Sequence, residues 1–247
     1  MAKPTPNEFT VTATRLISPN MRRITLSGKG IAEYPENAAG SYVKLIFTQE
    51  NQPKPSLRTY TISHIDYDNQ SMDLDFVIHA DGGPASAWAD IATPGDTLNI
   101  SGPGPGKKIT LPADWFLLAG DMTAMPAIRN NLKLLPEDAH GYLILEIMTD
   151  EDKAALDVAS LPKALEVIWV INPHPGDLKK FSDAILELAW IKGHPSIWIA
   201  AELEEVLKAR CHIKTKPPIE KGNMYISSYW QHGMTEDRHK LAKKEKL

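Results

Sequence analysis

A segment that places arginine, tyrosine and threonine at adjacent positions is the first candidate for chemistry. It runs Arg58, Thr59, Tyr60, Thr61. Because side chains alternate along a strand, Arg58, Tyr60 and Ile62 are expected on one face, and the two threonines and Ser63 on the other. Arg58 would bind a phosphate, Tyr60 would pack its ring on a planar cofactor, and Thr61 would hydrogen-bond a ring heteroatom. Taken alone, the segment is equally compatible with a partly exposed edge strand.

The second candidate is a glycine-containing turn that leads into a short helix. Two glycines free the backbone before Pro84, which suits a first helical turn, and the hydroxyl of Ser86 would join the outward-pointing amides. Amides at the start of a helix bind anions. The residues expected at this anion site are His79, Gly83, Pro84, Ala85 and Ser86. A plain turn with Trp88 in the core is the alternative.

The elements that carry both candidates are short strands with β-branched or aromatic residues at alternate positions. Turn residues at Ser18–Asn20 and Tyr67–Gln70 predict two hairpins, so the first half is expected to be antiparallel. Six strands are enough to close a small barrel. They are predicted at Phe9–Leu16, Arg23–Ser27, Tyr42–Thr48, Arg58–Ile65, Met72–His79 and Thr97–Ser101.

The pattern changes at the Gly/Pro-rich stretch Gly102–Lys108, which marks the expected domain boundary. Beyond it, apolar runs alternate with helical patterns, which predicts a parallel sheet flanked by helices. Strands are expected at Trp115–Ala119, Tyr142–Met148, Val167–Asn172, Ser196–Ala200 and Met224–Ser227. Helices are expected at Ala124–Leu135, Leu178–Trp190 and Leu203–Arg210. The charged end, Glu236–Leu247, is predicted to be a solvated helix or a loose tail.

Composition narrows the class of protein without naming a function. Hydrophobic residues make up 43% and charged residues 23% of the 247 residues, which is the balance of an ordinary globular chain. The single cysteine, Cys211, rules out an intrachain disulfide, and a reducing cytoplasm fits it best. A net charge of −4 offers no broad cationic surface for nucleic acid. We see neither an export signal nor a membrane span.

Taken together, four motifs resemble the siderophore-interacting protein family, also called ferric-siderophore reductases, of the ferredoxin-NADP reductase-like superfamily. They are Arg58-x-Tyr60-Thr61 followed by the turn at Gly83–Ala89, Leu118–Ile128, Trp198–Glu202 and Tyr229-Trp230-Gln231-x-Gly233. The resemblance implies a six-stranded antiparallel β-barrel that binds FAD, over residues 1–108. It also implies an α/β parallel-sheet domain for a nicotinamide nucleotide, over residues 109–247, with a C-terminal helical tail.

Residue roles follow from the resemblance by position. Tyr60 and Thr61 would be the catalytic residues that flank the isoalloxazine and its reactive edge, and Arg58 would meet the phosphates of FAD. Thr59, Thr123 and the turn from His79 to Ser86 would also contact FAD. Residues expected at the nicotinamide nucleotide are Asp121, Glu202 and Trp230.

The substrate implied by the resemblance is a ferric siderophore, reduced from Fe(III) to Fe(II). An acidic protein needs a local basic pocket for such an anion. Lys44 and Arg129 match two of the family's basic positions. Gln231 is uncharged at the nearest match for the third, which Arg238, Lys240 or His232 would supply; Arg238 is our choice. The lysines at 243–246 are expected to be a solubilising tail. No metal ligand set is expected, because none of the histidines shows metal-ligand spacing.

Four residues depart from the family pattern, and the departure at position 201 bears on the electron donor. Ser63 stands where many members carry arginine, Met122 replaces a glutamate, Ala201 a glycine and Gln231 a basic residue. The second domain also lacks a G-x-G-x-x-G fingerprint. NADH, NADPH and ferredoxin therefore stay open as donors. Two other functions remain: a reductase of free flavin or ferredoxin in the same superfamily, and a non-catalytic siderophore-binding module.

Overall fold

The structure, a computed structural model, describes residues 5–48, 54–79, 83–175 and 179–247, without the side chain of Asp237. Ala80, Asp81 and Gly82 of the glycine turn lie outside the described residues, as does Leu178 at the predicted start of a helix. Contacts divide the chain into a first unit that ends at Lys107 and a second that begins at Lys108.

The first unit is a closed antiparallel barrel, which confirms the predicted fold. The strands show the alternation of a barrel wall. Ile24 and Leu26 are buried inside, whereas Arg23 and Thr25, which alternate with them, are half-buried on the outer face. The barrel order is β1-β2-β5-β4-β3-β6. The strands are β1 Asn7–Ser18, β2 Met21–Ser27, β3 Tyr42–Phe47, β4 Ser56–Asp66, β5 Ser71–Val77 and β6 Thr97–Gly104.

Helix α1, Pro84–Ile91, covers one end of the barrel core. Ala85 and Ala89 are buried there, and the ring of Trp88 lies 5.7 Å from that of Phe76 and 6.0 Å from that of Phe47, between ring centroids. A 3₁₀ turn at Lys29–Glu33 follows β2. Both predicted hairpins form, at Ser18–Met21 and at Asp66–Ser71.

Strand β4 departs from the simple alternation expected for it. A register shift between Ile62 and His64 breaks the pairing with β5. Ile62 and the next residue, Ser63, are consequently both buried. Ser63 accepts a hydrogen bond from Arg23 Nη2 at 2.9 Å, and Arg23 also forms an ion pair with Asp75 at 2.7 Å. The bulge thus turns Ser63 into part of a polar cluster on the barrel wall.

The second unit is a five-stranded parallel sheet with helices, as predicted. Its order is β11-β10-β7-β8-β9. The strands are β7 Trp115–Gly120, β8 His140–Ile147, β9 Ala164–Ile171, β10 Pro195–Glu202 and β11 Met224–Trp230. The helices are α2 Met125–Leu132, α3 Lys180–Leu186, α4 Leu203–Ile213 and α5 Glu236–Lys246, with 3₁₀ turns at Asp150–Ala155, Val158–Ser160 and Lys221–Asn223. Every residue of β7 and of β10 is buried, which explains their continuous apolar runs.

Helix α5 forms, which confirms one of the two predicted alternatives, but one side of it is docked on β11, so Lys243 is not part of a purely solubilising tail as expected. His239 is 5% exposed, and its Nε2 lies 2.7 Å from Ser228 Oγ on β11. Lys243 donates to the carbonyl of Ser228 at 2.8 Å, and Lys246 pairs with Glu204 at 2.7 Å. These contacts explain how a strongly polar segment holds a fixed place: its buried polar groups find partners on the sheet edge.

Within the described ranges, the longest helices are far too short and too polar to cross a bilayer.

Candidate functional site

The strand β4 sets the direction of Arg58 and Tyr60. Tyr60 lies opposite Val43 and Arg58 opposite Leu45, and both partners are fully buried core residues. Residues directly opposite on paired strands share a face, so Arg58 and Tyr60 lie on one face, as predicted, and this face is the inner side of the barrel wall. The ring of Tyr60 packs on Phe76, with centroids 4.4 Å apart.

The structure brings Arg58 to the start of helix α1, which joins the two candidates found in the sequence. A Cβ placed on Gly83 would meet the Nε atom of Arg58 at 4.0 Å and nothing closer. Arg58 Nη1 donates to the carbonyl of Leu57 at 2.8 Å, which restrains the guanidinium beside the strand. Among the described residues, Arg58 therefore contributes the atom that lies nearest to a Cβ at the N-cap of α1.

The first turn of α1 presents amides that the helix itself does not use. Gly83 is the N-cap, Pro84 has no N–H, and the first bond back to the cap runs from Ala87 N to Gly83 O at 3.0 Å. The N–H groups of Ala85 and Ser86 precede that bond. Two amides, the positive end of the helix dipole and a guanidinium form a donor set that fits a pyrophosphate. A tyrosine ring on the same strand adds a surface for a planar ring system.

One residue of the turn, Ser86, differs from the sequence-based expectation. The hydroxyl of Ser86 points inward and donates to the carbonyl of Val77 at 3.0 Å, and the residue is 6% exposed. Ser86 can therefore offer an anion its backbone N–H, but its hydroxyl proton is already used. His79 is exposed after the end of β5.

The outer face of the barrel wall carries the threonines of the motif. Thr59 lies opposite Lys44 and Thr61 opposite Tyr42. The ammonium of Lys44 contacts the hydroxyl of Thr59 and lies 5.5 Å from the centroid of the Tyr42 ring. The two faces of β4 thus separate Arg58 and Tyr60 from Thr59 and Thr61, as the alternation predicted.

The second unit has a different kind of site, at the carboxyl ends of its strands. The strand order reverses between β7 and β10, and in open parallel sheets this switch point is where ligands bind. Asp121 follows β7, and Glu202 ends β10. Helices α2 and α4 begin just after these two carboxylates.

The carboxyl of Asp121 forms hydrogen bonds with two other predicted residues, Thr123 and Trp230. Its Oδ2 accepts from the indole N–H of Trp230 at 2.7 Å, and its Oδ1 accepts from the backbone N–H of Thr123 at 2.9 Å and the hydroxyl of Thr123 at 2.5 Å. Burial raises the pKa of Asp121, although these hydrogen bonds act in the opposite direction. The Thr123 hydroxyl is consequently committed to Asp121.

Glu202 acts as the cap of helix α4. Its Oε2 accepts from the backbone N–H of Glu204 at 2.5 Å and of Glu205 at 3.3 Å, and its Oε1 accepts from the N–H of His232 at 3.2 Å. Burial raises the pKa of Glu202. The structure therefore gives Glu202 a capping role, and its contact with a nucleotide stays a prediction.

The sequence reading missed a third carboxyl at this edge, Glu146 near the end of β8. The residue is 9% exposed, and burial, followed by the charge of Asp121, raises its pKa to about 8. The carboxyl is therefore mostly protonated at neutral pH. The signal was available, because Glu146 is the one charged residue in the apolar run Tyr142–Ile147.

The remaining basic candidates in this unit have separate surroundings. Arg129 Nη1 donates to the carbonyl of Ala155 at 2.8 Å, which ties α2 to the 3₁₀ turn after β8. Arg238 is exposed in the first turn of α5. Their contact with substrate stays a prediction. In the part of the chain that is described, no three His, Cys, Asp or Glu side chains are grouped to hold a metal ion.

Both units match families of known proteins. Residues 113–233 match the family model described as siderophore-interacting protein. Residues 10–57 and 49–107 match the siderophore-interacting FAD-binding domain. The chain is 30% identical, over 244 residues, to the ferric vibriobactin reductase ViuB of Vibrio cholerae, covering 91% of this chain and 89% of that protein.

Solved structures agree with the sequence matches. The siderophore-interacting protein SipS from Aeromonas hydrophila is 30% identical and superposes with a TM-score of 0.86, over 98% of both chains. A ferredoxin-NADP+ reductase from Plasmodium falciparum, at 14% identity, covers 91% of this chain and 97% of its own with a TM-score of 0.61. The second likeness shows the shared fold alone.

Proposed function

The chain belongs to the siderophore-interacting protein family, and from this premise we propose that it is an FAD-dependent reductase that converts Fe(III) in ferric siderophores to Fe(II) in the cytoplasm. The observation that carries the proposal is the approach of Arg58 to Gly83 at the N-terminus of α1, on the strand that also carries the packed ring of Tyr60. The barrel unit thus offers a built site for a redox cofactor.

FAD is the cofactor, as the match of the barrel unit to a siderophore-interacting FAD-binding domain indicates. We assign the pyrophosphate to Arg58 and the N–H groups of Ala85 and Ser86, with Gly83 and Pro84 shaping the approach. Tyr60 would support the ring system and Thr61 its edge, with Thr59 and His79 in the surroundings. When bound, FAD takes up two electrons as a hydride equivalent and can release them singly, which suits a one-electron metal.

The proposed substrate needs no iron ligand from the protein. Siderophore oxygens are hard donors that favour Fe(III), so the addition of one electron weakens the complex and frees the metal. What the protein must supply is attraction for an anionic chelate. We assign this role to Lys44 in the barrel unit and to Arg129 and Arg238 in the second unit, each as a separate charge contact.

NADH or NADPH as electron donor is in keeping with the reductase fold. Weak nucleotide binding at the switch point of the second unit is supported by Glu202, because its carboxyl already accepts from the first amides of α4, where a phosphate would otherwise bind. Thr123 and Trp230 are held by Asp121, and we propose that this group, rather than the helix amides, meets the donor. Ferredoxin is the alternative donor.

The proposal is tested by anaerobic mixing of the flavin-reduced protein with a ferric catecholate and a ferric hydroxamate chelate, while flavin reoxidation and Fe(II) capture are followed. We expect one Fe(II) for each electron lost from the flavin. Reoxidation by free flavin but not by either chelate would instead indicate a general flavin reductase. Purified protein without flavin absorbance would indicate a binding module.

A further inference from the structure

Two long side chains, Tyr42 and Lys44, stand among small ones on the outer wall of the barrel. Tyr42 is flanked by Thr61 on β4 and Gly104 on β6, and Lys44 is flanked by Thr59 and Ser101 in the same order. Tyr42 is 38% exposed, which is unusual for an aromatic ring in a fixed seat. A tyrosine and a lysine therefore stand above a floor of threonine, serine and glycine.

The seat of the Tyr42 ring depends on a glycine. A Cβ on Gly104 would lie 2.6 Å from Tyr42 Cε2, and it would overlap the Cζ and hydroxyl positions still more. The ring therefore rests against the backbone of β6, and any other residue at position 104 would displace it. One side of the ring is covered in this way.

The lysine beside this ring adds charge to the surface. Lys44 Nζ lies 5.5 Å from the ring centroid, within the range of a cation–π contact. An ammonium and a seated aromatic ring next to each other are complementary to a ligand that is itself both aromatic and anionic. Catecholate groups bound to iron have both properties, whereas hydroxamate and carboxylate groups have no aromatic ring.

We propose that Tyr42, seated on Gly104 beside Lys44, is a specificity-determining residue that selects aromatic, catecholate-type ferric chelates over non-aromatic ones. The inference rests on the proposed function, since it names the chemical class of substrate at the same barrel unit. Tyr42 acts by ring contact and Lys44 by charge, so the two contributions separate with suitable chelates.

Three probes distinguish ring contact from charge: a hexadentate ferric tris-catecholate, ferric citrate, which is anionic without rings, and an uncharged ferric trihydroxamate. Tyr42→Leu should weaken binding of the tris-catecholate at least five-fold and leave the other two unchanged. Tyr42→Phe should behave as wild type. Gly104→Ala keeps the tyrosine but removes its seat, so it should reproduce the loss. Lys44→Met should weaken binding of both anionic chelates.

Affinities are measured by equilibrium dialysis on the oxidised holoprotein, and FAD occupancy is measured for each variant by absorbance. An equal loss for all three chelates, or no loss for any, in Tyr42→Leu would overturn the assignment. So would loss of FAD from that variant, because the ring would then belong to the cofactor site. If wild type binds and reduces none of the chelates, the proposed function itself fails, which is a separate result.

Discussion

Three helices begin at candidate binding sites in this molecule, and the one in the barrel unit differs from the two in the sheet unit. The start of α1 carries a glycine, a proline and a neighbouring guanidinium, and acidic residues are absent from its first turn. The start of α4 is capped by the carboxyl of Glu202, whereas Asp121 accepts from the N–H of Thr123 just before α2, which has no side-chain cap of its own. A helix start left open can take a phosphate, whereas one closed by its own carboxylate repels it.

This difference between the helix starts explains why the sequence predicts the candidate phosphate site of the barrel unit more clearly than the candidate nucleotide site of the sheet unit. In the barrel unit, the phosphate binding that we propose uses the amides of α1 together with an arginine from a strand. In the sheet unit the first amides of α4 are already bonded by the side chain of Glu202. We therefore expect tight binding of FAD and weak binding of a nicotinamide nucleotide. Four predictions follow in order of expected effect.

Replacing Arg58 should have the largest consequence. A charge-assisted hydrogen bond to phosphate contributes about 1.5–3 kcal/mol, so Arg58→Ala should lose FAD on purification while the barrel stays folded. Arg58→Lys keeps the charge but not the paired geometry and should retain part of the FAD. The ratio of flavin to protein absorbance measures this, with circular dichroism as the check on folding. Arg15→Ala, an exposed arginine on β1, is the matched control. Full occupancy in Arg58→Ala would contradict the assignment.

The buried carboxyl of Glu146 should make the free energy of unfolding depend on pH. The pKa of Glu146 is raised from 4.5 to about 8, so the folded state holds a proton that the unfolded state has released. This contribution is complete below pH 4.5 and is lost as the pH rises towards 8, at a rate of at most about 1.4 kcal/mol per pH unit. Glu146→Gln should flatten that decline.

Urea unfolding of wild type and Glu146→Gln between pH 5 and 9 measures the difference. The variant should be the more stable of the two at pH 8 and above. Parallel curves at all pH values would mean that Glu146 titrates normally. Glu166→Gln, an exposed position on the adjacent strand β9, is the control for a change of charge alone.

The rate of reduction by a nicotinamide nucleotide tests the effect of the Glu202 cap on α4 directly. Steady-state reduction by NADH or NADPH should be slow, with KM near or above roughly 1 mM, the upper end of the usual range. Glu202→Gln keeps an acceptor for the amides of α4 but removes the negative charge, and it should lower KM several-fold. Glu220→Gln, exposed and remote along the chain, should leave KM unchanged. A micromolar KM in wild type would show that the carboxylates do not obstruct the nucleotide, and ferredoxin would lose its place as a donor.

The smallest effect is expected at the basic surface residues. Lys44→Ala should weaken binding of an anionic ferric chelate by about 0.5–1 kcal/mol, because partly exposed charge contacts contribute little. The loss should shrink in about 1 M salt, where the screening length falls to roughly 3 Å. Binding of an uncharged chelate should not change. Lys29→Ala, exposed in the 3₁₀ turn after β2, is the control. An equal loss for charged and uncharged chelates would remove Lys44 from the substrate site.

Local pattern was enough for the architecture. Alternation of apolar residues along β2 and β5 predicted the barrel strands, and the continuous apolar runs of β7 and β10 predicted a sheet buried on both faces. The ends of elements were less well predicted: the expected helix Ala124–Leu135 is shorter in the structure, at Met125–Leu132. Helix ends depend on capping and on what packs against the last turn, which local propensity does not contain.

The candidate sites divide in the same way. Strand periodicity alone put Arg58 and Tyr60 on one face and the motif threonines on the other, because that relation spans only a few residues. It failed at Ser63, since a bulge is decided by how a neighbouring strand pairs. The inward turn of the Ser86 hydroxyl likewise depends on a carbonyl of β5.

The sequence by itself determined the two fold classes, the strand that carries Arg58 and Tyr60, and the helix start that we propose as an anion site, because each is fixed by spacing within one element. Only the tertiary structure decided which distant residues meet: Arg58 with Gly83, Tyr42 with Gly104, and Asp121 with Trp230 across 109 residues. The tertiary structure also decided the protonation of Glu146, because burial and the nearby charge of Asp121 raise the pKa of its carboxyl to about 8. Contacts and desolvation depend on the path of the whole chain, and no local pattern contains them.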